Sequence, residues 1–327
     1  MSTTARLSPD ALEWLMTGAT AVPGEHAVFR IEGPAAVDCL QGLVTCDVAH
    51  PGPGHLSYGA VLTPKGTIIA DLWIFCAESG LVVLAPVAAG AAIQEVFSKR
   101  IPPRLAKVVD QSADWRSVWL IGEGASATLQ RAGLSWPSAE LGLHATEDGM
   151  LLGRLGPTGP AHGLLVGTTA AIDDALERFQ NAGGLVGSGD HREAARILQG
   201  FPTLGGEIGG KTLPQEVRYD EVGGVSYTKG CYVGQETVAR IHFRGHPNRM
   251  LRGIAWQGQP VELGAPLLED GKEVGTITSL LIVGQACLAL SLLRHEVRSG
   301  GEVLVSADTT ARVIDPPGHG VLLDLLT

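Results

Sequence analysis

The sequence has few charged residues and no long apolar run, and each shortage excludes a class of protein. Charged residues make up 18% of the 327 positions and hydrophobic residues 45%, the reverse of the balance in disordered chains. Gly, Pro or a charge interrupts every apolar run before it reaches the roughly 18 residues of a membrane span. The N-terminus has neither an apolar signal core nor an Arg-rich leader. We therefore expect a cytoplasmic globular protein without a membrane partner.

Cysteine is also scarce, and its spacing excludes two kinds of stabilising site. The chain has five cysteines, an odd and scattered set, and no C-x-x-C pair. A disulfide framework or a structural zinc site would need regular, paired spacing. We predict no metal site from the sequence. The five positions are Cys39, Cys46, Cys76, Cys231 and Cys287.

Positive charge is in deficit, which bears on the partners that the protein can bind. The net charge is −10, so the whole molecule should repel phosphate backbones, and direct nucleic-acid binding is not expected. A local exception is the basic tract, which follows residue 239. It is either a solvated helix face and loop or a surface that binds an anionic tail. The basic tract consists of Arg240, His242, Arg244, His246, Arg249 and Arg252.

The order of predicted elements favours an α+β fold. Ser8-Pro9-Asp10 is typical of a helix start, with an N-cap, Pro at N1 and an acid in the first turn. Strand-like runs at 56–62 and 67–76 flank a Thr-Pro-Lys-Gly turn, which predicts a hairpin. Short strands separated by Gly-containing turns, with no convincing helix, fill residues 250–327 and predict a small antiparallel barrel or sandwich. Residues 1–249 would then form the first domain.

A thiol with reactive surroundings lies in the segment 229–236, Lys-Gly-Cys-Tyr-Val-Gly-Gln-Glu. A nearby cation or a helix N-terminus lowers the pKa of a thiol, and Lys229 and the following helical composition supply both for Cys231. The two glycines permit unusual backbone geometry and close approach by a ligand. A free cysteine is more often a small buried hydrophobe, and we interpret Cys39, Cys76 and Cys287 in that way. Cys231 is interpreted as functional.

Residues 223–236 resemble the K-G-C-Y-x-G-Q-E signature region of the YgfZ family, folate-binding proteins related to the T-protein (aminomethyltransferase) of the glycine cleavage system. The resemblance covers nearly the whole chain. Residues 40–48 match the early L-Q-G-x-x-T-x-D-V segment, and residues 62–66 match the L-T-P-K-G turn. Residues 213–216 match the segment before the signature.

This resemblance implies an aminomethyltransferase-like fold, a ring of α+β subdomains with a C-terminal antiparallel barrel. It implies binding of tetrahydrofolate or a derivative, and a role in assembly or repair of iron–sulfur clusters, including those of tRNA-thiolating enzymes. The partners would be iron–sulfur proteins or assembly factors. Cys231 would be the working thiol, supported by Lys229 and Glu236. The candidate ligand-binding residues of the motif are Tyr232, Gly234, Gln235, Glu236 and Arg240.

Two departures from the aminomethyltransferases bear on chemistry. Those relatives carry two consecutive acids where this chain has Ala70-Asp71, and an R-x-E-x-G segment where this chain has Leu198 in place of the acid that binds the pterin. Leu198 cannot accept a hydrogen bond, and an unpaired buried polar edge costs about 1–3 kcal/mol. The substitute acceptors are Gln199, Glu207 and Glu216.

Three functions follow as hypotheses, and whether the chain is an enzyme stays open among them. The first is a folate-binding accessory protein for iron–sulfur clusters, with Cys231 as its thiol. The second is a tetrahydrofolate-dependent aminomethyl or one-carbon transferase that uses Asp71. The third is a non-catalytic interaction scaffold whose basic tract docks a partner.

Overall fold

Three β-sheets organise the chain. A computed structural model describes residues 4–326. The strands are β1 (Thr4–Leu7), β2 (Thr20–Pro23), β3 (His26–Glu32), β4 (His55–Leu62), β5 (Ile68–Ala77), β6 (Gly80–Pro86), β7 (Lys107–Asp110), β8 (Trp115–Ile121), β9 (Leu143–Ala145), β10 (Leu151–Arg154), β11 (Gly163–Thr168), β12 (Leu185–Val186), β13 (Arg249–Gln257), β14 (Pro266–Glu269), β15 (Lys272–Val283), β16 (Ala286–Arg294), β17 (Glu302–Ser306) and β18 (Thr309–Ile314). The α-helices are α1 (Pro9–Thr17), α2 (Ala36–Gln41), α3 (Gly90–Arg100), α4 (Ala125–Arg131), α5 (Thr169–Asn181), α6 (Gly189–Gln199), α7 (Gln235–Arg244) and α8 (His319–Leu326).

The C-terminal strands close into a six-stranded barrel. Strands pair in the order β15-β14-β17-β18-β13-β16, and β16 returns to β15. All six pairings are antiparallel. The predicted barrel is confirmed. Strand β1 joins it from the other end of the chain and runs parallel to β15, with Thr4 opposite Leu280. The boundary after residue 249 stays a prediction.

The other two sheets form the rest of the ring. One has the order β4-β5-β6-β3-β7 and the other the order β12-β2-β8-β11-β10-β9. The predicted hairpin is confirmed, because β4 and β5 pair antiparallel with Leu62 opposite Ile68. Helix α1 begins as predicted, with the Ser8 side chain accepting a hydrogen bond from the Ala11 N–H at 3.1 Å.

The expectation of no helix after residue 250 is wrong. Helix α8 covers eight residues after the last barrel strand and buries Leu322. A short apolar run fits a strand and a buried helix equally well by periodicity, so the pattern could not separate them. Strand β14 was also not predicted. Among residues 4–326, no helix has both the length and the hydropathy needed to cross a membrane.

A hydrophobic core shared by all three sheets lies at the centre of the ring. It contains Tyr58 of β4, Trp119 of β8 and Leu281 of β15, together with Phe201 from the segment after α6. The barrel and the other two sheets each have a further core of their own. Leu198 and Tyr232, two residues of the candidate sites, belong to this shared core.

Candidate functional site

The segment that carries Cys231 is anchored to the end of α2 and the loop after it. The ammonium of Lys229 donates hydrogen bonds to the carbonyl oxygens of Gln41 (2.7 Å), Val44 (2.8 Å) and Cys46 (2.7 Å). A protonated lysine has three N–H donors, so this loop takes all of them. Burial lowers the pKa of Lys229 to about 8. Lys229 therefore holds the loop, and its support of the Cys231 thiol stays a prediction.

Three further hydrogen bonds join the same two segments. The Thr45 hydroxyl donates to the Gly224 carbonyl at 2.5 Å, and the Ser226 N–H donates to the Thr45 carbonyl at 2.9 Å. The Val233 N–H donates to the Gly42 carbonyl at 3.3 Å. Residues 41–46 and 224–233, which lie in the segments that carry the resemblance, are therefore joined by hydrogen bonds at several points.

Cys231 is the exposed thiol of the chain. The thiols of Cys76 and Cys287 are buried as predicted, and Cys39 is half-buried. Cys46, which the sequence left undecided, is also buried, and burial raises its pKa to about 12. A buried thiol of high pKa is a poor nucleophile. Accessibility alone therefore separates Cys231 from the other four.

A helix follows Cys231 as predicted, and it begins four residues later, at Gln235. Tyr232 is buried, the Lys229 ammonium lies 5.3 Å from its ring centroid, and burial raises the pKa of the phenol to about 12. Gln235 opens α7, and Glu236 and Arg240 are exposed on it. None of these candidate ligand residues lines the cavities described below.

Two glycines of the matched motifs bring the β4–β5 turn against α7. Gly66 and Gly234 both have positive φ, +83° and +84°. A Cβ on Gly234 would lie 2.6 Å from the Thr63 carbonyl oxygen, and one on Gly66 would lie 2.8 Å from Cβ of Thr237. At Gly230, by contrast, a Cβ would meet nothing within 4 Å. The segment that closely approaches Gly234 is therefore the β4–β5 turn.

A cavity of about 620 Å³ lies beside α6, at the position where the relatives carry an acid. Its wall includes Leu198 and Gln199, together with Glu123 and His162. Nδ1 of His162 accepts a hydrogen bond from the Gly122 N–H at 3.0 Å, so the tautomer of the neutral ring has its proton on Nε2. Burial lowers the pKa of His162, which favours this neutral form.

Asp71 lies in the shared core, beside a cavity of about 50 Å³. The Tyr58 hydroxyl donates to Asp71 Oδ2 at 3.3 Å and lies 3.2 Å from the Tyr219 hydroxyl. Asp71 Oδ1 is buried without a hydrogen-bond partner among the described residues. Burial raises the pKa of this carboxyl to about 6, against the opposing influence of its hydrogen bonds and of Arg192. Asp71 can therefore exchange a proton near neutral pH.

The two substitute acids of the sequence prediction are already bonded. Glu207 is buried and accepts from Arg196 at 3.1 Å and from the Ser279 hydroxyl at 2.5 Å. Glu216 accepts two hydrogen bonds from the guanidinium of Arg249, both at 3.0 Å. Neither acid lines a cavity described here. Of the three predicted substitutes, Gln199 is the one that reaches the cavity beside Leu198.

The basic tract divides into paired and unpaired cations. Arg249 and Arg252 form ion pairs with carboxylates, and His242 lies 3.5 Å from one. Arg240 and Arg244 are exposed and form no ion pair among residues 4–326. Carboxylates therefore neutralise only part of the tract.

Sequence reasoning missed Glu123, His162 and Tyr219. They come from three separate parts of the chain, and no motif includes the first two. Tyr219 lies between the matched segments, but its contact with Tyr58 spans 161 positions. No local pattern signals such a contact.

Comparison with known proteins agrees with this geometry. The GCVT N-terminal domain family matches residues 25–151. The glycine cleavage system aminomethyltransferase T of Bartonella henselae superimposes with a TM-score of 0.79 at 20% identity, over 93% of this chain and 87% of that one. This likeness shows the fold, and the predicted aminomethyltransferase-like architecture is confirmed.

The sequence relatives share one name. The tRNA-modifying protein YgfZ of Serratia proteamaculans is 27% identical over 301 residues, which cover 90% of this chain and 89% of that protein. The protein of the same name from Sodalis glossinidius is 28% identical over 232 residues, 71% of this chain and 69% of that one. The chain is similar to the YgfZ proteins over most of its length. The exposed thiol lies in the segment that resembles the signature of those proteins.

Proposed function

We propose that the chain is a folate-binding accessory protein for the assembly or repair of iron–sulfur clusters, including those of tRNA-thiolating enzymes, and that it acts in the cytoplasm. Cys231 is its working thiol. The observation that carries the proposal is the exposure of Cys231 on a segment that Lys229 and Val233 tie to the 42–46 loop. A thiol presented at a fixed place on the surface can reach a partner. The names of the YgfZ relatives, tRNA-modifying proteins, agree with such a role.

Complementation tests the thiol. In a strain that lacks its own family member, Cys231→Ser should abolish rescue of iron–sulfur enzyme activity. Cys39→Ser, which changes a half-buried thiol away from the signature, should retain rescue. Full rescue by Cys231→Ser at a normal protein level would remove the working thiol from the proposal.

The cavity beside Leu198 is the candidate folate site. Its volume of about 620 Å³ lies within the roughly 300–1,000 Å³ range of ligand pockets. Leu198 itself cannot pair with a pterin edge, but Glu123 supplies acceptors, Gln199 an amide, and His162 an N–H donor. A pterin carries both donors and acceptors on its edge, so this set fits it. Trp136 adds an aromatic wall.

Titration with tetrahydrofolate tests this site. Glu123→Gln and Gln199→Ala should each weaken binding about tenfold, because the first replaces an acceptor oxygen with a donor and the second removes the amide, each worth about 1–2 kcal/mol. Glu147→Gln changes an exposed acid on the β9–β10 turn and should leave the affinity unchanged. Equal affinities for all four proteins would place folate elsewhere, and no binding to any of them would remove folate from the proposal.

A one-carbon transferase is the second candidate, and Asp71 is the observation that favours it. A carboxyl with a pKa of about 6 suits proton transfer at neutral pH. Formation of methylene-tetrahydrofolate from an aminomethyl donor, lost in Asp71→Asn, would support this function. No turnover with such donors would remove it.

A further inference from the structure

The exposed face of α7 carries an apolar residue between two cations. Phe243 is 68% exposed, more than any other large hydrophobic residue described as exposed. Arg240 lies three positions before it and Arg244 one position after it. Residues three and four apart share a face of a helix, so Arg240 is a neighbour of both Phe243 and Arg244. We call these three residues the Phe243 surface.

The Phe243 ring is held in place although it is exposed. The rings of Tyr227 and His242 stack at 3.6 Å between centroids, and His242 meets Phe243 edge-on at 4.8 Å. The Tyr227 hydroxyl donates a hydrogen bond to Asp220, which restrains the Tyr227 ring of the stack. A side chain that is ordered before binding loses little entropy when a partner covers it. A ring that only faced solvent would not need these contacts to hold its position.

The charge of the surface opposes that of the molecule. The chain has a net charge of −10, whereas Arg240 and Arg244 are exposed and have no ion-pair partner among residues 4–326. Two unpaired guanidinium groups around an apolar ring complement a carboxylate-bearing segment with an apolar side chain. A long polyanion would have to approach the acidic remainder of the molecule as well.

We propose that the Phe243 surface docks an acidic segment of a protein partner, with an apolar side chain of that segment against Phe243. The surface lies on α7, which begins four residues after Cys231. A docked partner is therefore held on the helix that directly follows the thiol segment. The partner's identity as an iron–sulfur client rests on the proposed function. The docking itself does not, because it depends only on the three residues of the surface.

Fluorescence anisotropy with the full chain tests the proposal. The probe is a labelled peptide of Asp and Glu residues around a single Leu, and the reference probes are the same peptide with Ser for Leu and a single-stranded RNA of equal charge. The Leu peptide should bind most tightly. Phe243→Ser, and separately Arg240→Glu with Arg244→Glu, should each weaken its binding at least about tenfold. Val87→Ser and Arg104→Glu change an exposed apolar residue and an exposed arginine elsewhere and should have no effect.

Each other outcome overturns the docking. Tighter binding of RNA would assign the surface to nucleic acid, and self-association abolished by Phe243→Ser would assign it to a second copy of the chain. Absence of saturable binding by the Leu peptide at millimolar concentration, or equal binding by all variants, would leave no acidic docking site. Tetrahydrofolate affinity and Cys231-dependent rescue are separate measurements, so either proposal can fail without the other.

Discussion

Lys229 and Cys231 are two positions apart and have opposite surroundings. The ammonium of Lys229 is buried and donates to three carbonyl oxygens, whereas Cys231 is exposed. One short motif therefore combines a residue that maintains the fold with one that faces solvent. Their substitutions should separate in stability measurements.

Lys229→Met should lower the free energy of unfolding by about 3 kcal/mol, because three buried carbonyl oxygens lose their donors. Cys231→Ser should change it by less than about 0.5 kcal/mol, as is usual for an exposed side chain. Urea unfolding of both variants at neutral pH measures the difference. A small loss for Lys229→Met would mean that water replaces the ammonium at the loop.

Asp71 makes stability depend on pH, with a definite sign. The pKa of Asp71 is about 6 in the folded protein, whereas the ordinary value of an aspartate, as in the unfolded chain, is 3.8. Between these two pH values the folded state retains a proton that the unfolded chain releases. The stability that this group contributes is present below pH 3.8 and is lost as the pH rises through 6. The loss is at most about 3 kcal/mol.

Asp71→Asn stays uncharged at every pH and should escape this loss. The variant should therefore gain stability relative to the original protein at about pH 7.5, and the gain should shrink toward about pH 4.5. Urea unfolding at the two pH values measures it. An equal difference in unfolding free energy between the two proteins at both pH values would show that Asp71 titrates in its ordinary range.

At the scale of elements, the β4–β5 turn and the start of α7 depend on each other. Gly66 of the turn and Gly234 of the signature segment let the two backbones meet. The hairpin therefore positions the helix that carries Arg240 and Phe243. A side chain at either glycine would separate them.

Gly234→Ala should destabilise the protein by about 2 kcal/mol, because alanine resists positive φ and its Cβ would clash with the Thr63 carbonyl. Gly230→Ala, in the same segment but with open space at its Cβ, should have an effect within about 0.5 kcal/mol. Thermal unfolding of the pair gives the comparison. Similar midpoints would show that the turn moves away at little cost.

At the scale of the whole molecule, a buried ionic network joins the barrel to the rest of the ring. Arg196 of α6 pairs with Glu193 at 2.6 Å and Glu207 at 3.1 Å, and it donates to the Ser279 hydroxyl of β15 at 2.7 Å. Removing one partner of a buried pair leaves the other charge unpaired. This network, together with the pairing of β1 and β15, connects the two predicted domains.

Arg196→Met should therefore cost about 3–5 kcal/mol. Arg116→Met, which breaks the exposed pair with Asp173, should cost less than about 1 kcal/mol. Guanidinium unfolding followed by circular dichroism measures both. Equal costs would mean that the buried network contributes no more than a surface ion pair.

Local features were predictable because they depend on neighbours in the chain. The N-cap at Ser8, the hairpin around residues 63–66 and the helix after Gly234 each follow from a few adjacent residues. Helix α8 was not predictable, since eight apolar-rich residues fit two kinds of element. The cavity beside Leu198 was not predictable either, because its walls come from helices and loops far apart in sequence.

By itself, the sequence determined the family motif, the thiol at Cys231, five of the six barrel strands and the missing acid at Leu198, since each is a property of residue identity and short-range order. Only the tertiary structure decided what surrounds them. It decided that Lys229 bonds to the 41–46 loop, that Glu207 and Glu216 are already paired, and that Phe243 stays in solvent. The physical reason is that hydrogen bonds, burial and charge pairing act between residues that the fold alone brings together.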